Sequence, residues 1–87
     1  MNGSDGKDMS PTVFTKSGLR FHFFSREESR MHIHVTSQRG EAKFWIEPVI
    51  ELAQNHGMSE VELKTASRLI KEHEDDIRKT WHLHFDR

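Results

Sequence analysis

Eighty-seven residues with 13 Lys and Arg against 14 Asp and Glu carry a formal net charge of −1, which excludes a whole-molecule electrostatic attraction to nucleic acid or to a membrane surface. A chain of this size buries only about 60% of the surface it exposes when unfolded, enough for one modest core and one domain. Cysteine is absent, which excludes disulfides, thiolate metal sites and a cysteine nucleophile, and no apolar run is long enough for a signal-peptide core or a membrane span, so the cytoplasm is the expected address.

Residues 1–10 are small and polar and read as a flexible leader, leaving residues 11–87 as a single α+β domain. Val13, Phe14 and Thr15 suit a short strand, and Lys16-Ser17-Gly18 a turn into the aromatic strand of residues 19–24. There Leu19, Phe21 and Phe23 share one face, while Arg20, His22 and Phe24 share the other. Residues 25–30 form a polar connection carrying Arg26 and Arg30. In the next strand, Met31, Ile33 and Val35 alternate with His32, His34 and Thr36.

Residues 37–40 then make a turn containing Gly40. Beyond it Ala42, Phe44 and Ile46 point one way and Glu41, Lys43, Trp45 and Glu47 the other. Pro48 interrupts this run, and residues 49–53 favour a strand over a short helix because β-branched side chains open them. The final third is helical. Ser59 and Glu62 have the spacing of a capping box, Met58 and Leu63 that of a hydrophobic staple, and Leu63, Ala66, Ile70, Ile77 and Trp81 recur at helical intervals. His73 falls on that stripe and reads as a neutral core-edge histidine. His82 and His84 stand two apart on a helix, on nearly opposite sides, and cannot share an ion. The expected architecture is a small antiparallel sheet of three or four strands packed against one long C-terminal helix.

The aromatic strand, the polar loop, the Met31-His32-Ile33-His34-Val35 segment, the run from Gly40 to Pro48 and a terminal helix carrying Trp81 together resemble the small bacterial proteins called domain of unknown function 4160 (DUF4160), from about Val13 to the end. Members of that family typically carry Pro-Pro before the His-x-His, where this chain has Arg30-Met31. The resemblance implies a small sheet with a packed helix. It also implies, by suggestions drawn from gene neighbourhood, one half of a toxin–antitoxin-like pair encoded beside a second small protein.

The strand that carries His32 and His34 sets two imidazoles side by side on what reads as an open sheet face. The candidate partner or ligand surface comprises His22, Phe24, Arg26, Arg30, His32, His34, Lys43 and Trp45. Three functions fit it. As an interaction module, the aromatics and arginines supply the residue types that anchor protein partners, with RNA or a second copy of the chain as other occupants. As a metal-independent RNA-cleaving toxin, a histidine acts as general acid or base and Arg26, Arg30 or Arg39 stabilises the phosphorane-like transition state. As a metal-binding protein, His32 and His34 take one ion, with His22 or Glu41 as a third ligand. The interaction module needs the fewest special assumptions, and no cofactor is expected. Trp81→Ala is expected to damage folding, whereas His32→Ala should affect function rather than fold.

Overall fold

The computed structural model describes residues 12–24 and 29–85; the expected leader at residues 1–10 and Arg26 lie outside them. Five strands succeed one another as an antiparallel meander: β1 (Thr12–Lys16), β2 (Leu19–His22), β3 (His32–Thr36), β4 (Glu41–Trp45) and β5 (Glu51–His56), in the spatial order of the chain. The expected three or four strands are therefore five. The two outermost carry little buried apolar area, and so give the weakest alternating pattern in sequence.

Alternation does what the sequence requires of it. Leu19 and Phe21 of β2, Ile33 and Val35 of β3, and Ala42 and Phe44 of β4 lie on one face, each no more than 3% exposed. Their register pairs Phe21 with Val35, Val35 with Ala42 and Ile33 with Phe44. Burying side chains of this size stabilises by about 1.5–3 kcal/mol each relative to exposure, which makes this face the main source of the fold's stability.

The strand favoured for residues 49–53 is present but displaced to Glu51–His56. Pro48 has no N–H for a ladder, and the bend around it is held by Arg30, whose Nε donates to the Glu47 carbonyl at 2.7 Å. Gly40 is dictated by the neighbouring turn: a methyl group there would collide with the backbone carbonyl oxygen of His56.

Between β5 and the helices, the Asn55 side chain accepts from Met58 N and donates to the Met58 carbonyl, both at 3.0 Å. Gly57, at φ 98°, supplies a backbone angle costly for any other residue. α1 (Glu60–Glu72) then begins at the expected capping box, with Ser59 Oγ accepting from Glu62 N at 3.1 Å and Glu62 Oε1 from Ser59 N at 3.0 Å.

Instead of one long helix there are two, because the chain leaves helical geometry at His73 (φ −109°, ψ 20°) and resumes as α2 (Glu74–Phe85). Both the backbone N–H of His73 and its Nδ1–H donate to the Leu69 carbonyl, at 3.0 and 2.9 Å, and its ring stacks on Phe14 of β1 at 4.3 Å. His73 is thus a core-edge histidine with a structural role. Glu74, Asp75 and Asp76 open α2, where acidic side chains suit the positive end of the helix dipole. The apolar stripe keeps its phase across the break: Ala66, Leu69, Ile70, Ile77 and Trp81 are all buried.

Arg78 ties α2 to the sheet. It bonds Glu74 one turn back at 2.9 Å and Glu47 at the end of the β4 run. These two carboxylates, Glu74 foremost, hold its guanidinium above the ordinary arginine pKa. Among the described residues no helix is long and apolar enough to cross a membrane.

Candidate functional site

The face of the sheet opposite the helices collects the other half of the alternation. Antiparallel register sets His22 of β2 opposite His34 of β3, and His34 and His32 opposite Lys43 and Trp45 of β4. Three adjacent strands thereby bring together side chains separated by up to 23 positions in sequence, and Phe24 and Arg30 join them from the segments flanking β2 and β3.

The rings form one connected cluster. His34 lies at its centre, 4.2 Å from Phe24, 5.8 Å from His22 in a stacked arrangement and 5.3 Å from His32 edge-on. Phe24 also meets His22 edge-on at 5.3 Å. On the other side His32 packs edge-on to Trp45 at 5.8 Å and to Trp81 at 5.2 Å. Two cations sit over the Trp45 ring, Arg30 Cζ at 4.0 Å and Lys43 Nζ at 4.5 Å, a geometry in which the ring quadrupole attracts the charge.

This face is not the open one that alternation suggests. His22 is 2% and His32 0% exposed, which corrects the expectation of solvated strand histidines. The physical reason is the density of rings around them: an imidazole between two tryptophans and a second imidazole has little surface left for water. One nitrogen of each ring has a hydrogen-bond partner. His32 Nδ1–H donates to the Arg30 carbonyl at 2.6 Å, which fixes the orientation of that ring, and His22 Nε2 lies 2.8 Å from Thr36 Oγ1. Surface accessible to a partner is concentrated on Phe24, 38% exposed, on Arg30, likewise exposed, and on the half-buried His34, Lys43 and Trp45.

All the predicted site residues that are described converge here; Arg26 lies outside the described residues. Arg30 is less a free loop cation than a brace: besides covering Trp45 and bonding the Glu47 carbonyl, it places Nη2 3.7 Å from Glu51. Arg39 and Glu41 lie toward the opposite end of β3 and β4 from His32 and Trp45. Among the described residues no group of three His, Cys, Asp or Glu side chains is arranged to hold a metal ion. Two contributors are missing from the predicted surface. Thr36 shares the parity of His32 and His34, a usable signal for its pairing with His22; Trp81, assigned to the core alone, carries no sequence signal that it also reaches His32.

A family model described as Domain of unknown function (DUF4160) matches residues 18–82, a span from the turn before β2 to the last part of α2. No curated protein and no solved structure matches the chain.

Proposed function

For this chain, which belongs to the DUF4160 family, we propose the role of a protein-interaction module in a toxin–antitoxin-like two-protein system, with the histidine and aromatic face of the sheet as its docking surface. The observation that carries this reading is the grading of that face. Buried His22 and His32 form a rigid floor, and Phe24, His34 and Trp45 stand on it partly exposed, with Arg30 and Lys43 against the tryptophan. Aromatic and arginine side chains held by a packed base are the residues on which binding energy concentrates.

The alternatives fare less well on the same observation. Cleavage of RNA by one histidine as general acid or base, with an arginine at the phosphorane-like transition state, needs that imidazole at the surface beside the arginine; His22 and His32 are buried, which leaves His34 as the one ring of the three with substantial exposure. The test is co-expression with the product of the adjacent gene, followed by size-exclusion chromatography and metal analysis. A metal-free heterocomplex weakened by Trp45→Ala or His34→Ala is the expected result. A lone species carrying one metal per chain, lost in His32→Ala, would overturn it, as would RNA degradation that tracks His34.

A further inference from the structure

The sheet ends at β5, and that end is unusually plain. Among the described residues nothing pairs with the outer side of Glu51–His56, and five of its six residues are exposed, so neither face is covered there. Natural sheets protect such edges with charges, lysine above all, with proline, a short strand or a bulge, and of these β5 has Glu51 at its start and a bulge at Ala53. Here there is no lysine and no proline, the only acidic residue is the first, and the strand runs for about 20 Å at the usual rise per residue. The opposite edge differs: in β1, Phe14 is tucked between Phe21 and His73 and the strand closes on Lys16.

The register across β4 and β5 determines what this edge displays. Glu51 faces Trp45, Leu52 faces Phe44, Gln54 faces Lys43, Asn55 faces Ala42 and His56 faces Glu41, with Ala53 the extra residue of a bulge. Because of that extra residue, Glu51, Gln54 and His56 stand on the same side of the sheet, whereas plain alternation would put Glu51 and His56 on opposite sides. The edge is therefore self-complementary. If a second β5 is laid antiparallel with the two-fold axis at Gln54, Glu51 of each copy falls opposite His56 of the other, Leu52 falls opposite Asn55, and Gln54 meets itself as an amide pair.

We propose that two copies of this chain associate edge to edge through antiparallel pairing of β5 about a two-fold axis at Gln54, giving one continuous ten-stranded sheet. Main-chain hydrogen bonds supply the attraction, as in other strand additions, and the Glu51–His56 pairs at both ends set the register. Glu51 then lies between Arg30 of its own chain, 3.7 Å away, and the second copy's imidazole. Leu52, 45% exposed in the single chain, is covered on the helix side. The contact is isologous and closes at two copies. It is much smaller than a standard interface of about 800 Å² per partner, so the dimer dissociates on dilution. It borders the docking face proposed above, since Glu51 pairs with Arg30 and Gln54 lies opposite Lys43, and the two readings are told apart because His34→Ala tests that face without touching β5.

A charge placed on the axis must face its own copy, which gives the test. Sedimentation equilibrium of the full chain from micromolar to millimolar concentration is expected to show a monomer–dimer equilibrium. Q54E and Q54K, each alone, remain monomeric over the same range, because like charges now stand opposite each other. Q54E places its carboxylate opposite Lys43 within the chain, so its circular dichroism and melting temperature stay at wild-type values, whereas Q54K sets a second ammonium opposite Lys43 and melts lower, which makes Q54E the variant that decides. An equimolar mixture of the two variants regains the dimer. A wild-type chain that is monomeric throughout, a dimer that survives in Q54E, or a mixture that stays monomeric would each overturn the proposal.

Discussion

The two faces of one sheet use the same alternating strands to opposite ends. On the helix side every inward position of the three central strands is aliphatic or phenylalanine and all are shut off from water; their value is area, and the identity of each residue matters mainly through its volume. On the far side the same strands present Arg20 and His22, then His32, His34 and Thr36, then Glu41, Lys43 and Trp45, with Phe24 and Arg30 beside the rings. There burial is graded, and each buried ring keeps a polar atom that must be placed. Stability on the first face is diffuse and chemically anonymous, whereas the second has a floor that holds and a rim that is available. Trp81 joins the two, meeting Phe23 on the core side at 5.3 Å and His32 beyond the sheet at 5.2 Å.

Breaking that joint should have the largest effect. Trp81→Ala, at a side chain 6% exposed, is expected to cost about 3–5 kcal/mol, read as a lower urea midpoint with an unchanged slope. A neutral result would remove Trp81 from the core. His32→Ala sharpens the comparison, because alternation alone makes it a functional change and burial makes it a structural one. Loss of its bond to the Arg30 carbonyl together with a cavity beside two tryptophans should cost about 2 kcal/mol, and a melting temperature equal to wild type would restore His32 to the accessible surface. Ser59→Ala touches neither face. It removes the cap of the helix that covers the apolar one and should cost about 1 kcal/mol, with helix content by circular dichroism retained at low temperature.

What was legible in the sequence follows the same division. Period two over residues 19–24, 31–36 and 41–46 assigns the two faces correctly residue by residue, since geometry leaves a strand side chain no other choice. The capping box at Ser59 and Glu62 fixes the start of α1 because it is a purely local hydrogen-bond pattern. The break at His73 is not local: it depends on a ring stacked against Phe14, some 59 positions earlier, and the periodic stripe runs through it undisturbed. The bulge at Ala53 is equally silent, because an alanine between Leu52 and Gln54 carries no sign of facing nothing. The candidate site was legible as a set and illegible in depth. Parity groups His22, His32, His34, Lys43 and Trp45, but only the fold reveals that Trp81 and Phe24 close over two of the histidines and leave the third at the surface.

The rim should therefore behave as the reverse of Trp81. Phe24 is 38% exposed, and among the described residues its ring meets those of His22 and His34. Its replacement by alanine forfeits two aromatic pairings in a partly exposed setting and should cost about 1 kcal/mol of stability. If the rim is where a partner docks, the same substitution removes an aromatic anchor at the accessible edge of a rigid floor. Affinity for the co-expressed partner should then fall tenfold or more, about 1.4 kcal/mol, by calorimetric titration. The ratio of the two losses is the informative quantity. For a residue of the core, such as Trp81, the stability loss exceeds any loss of affinity measured on the folded fraction; for Phe24 the affinity loss should be the larger. A Phe24→Ala protein that melts several degrees lower yet binds its partner unchanged would move Phe24 from the rim to the floor, and the docking surface with it.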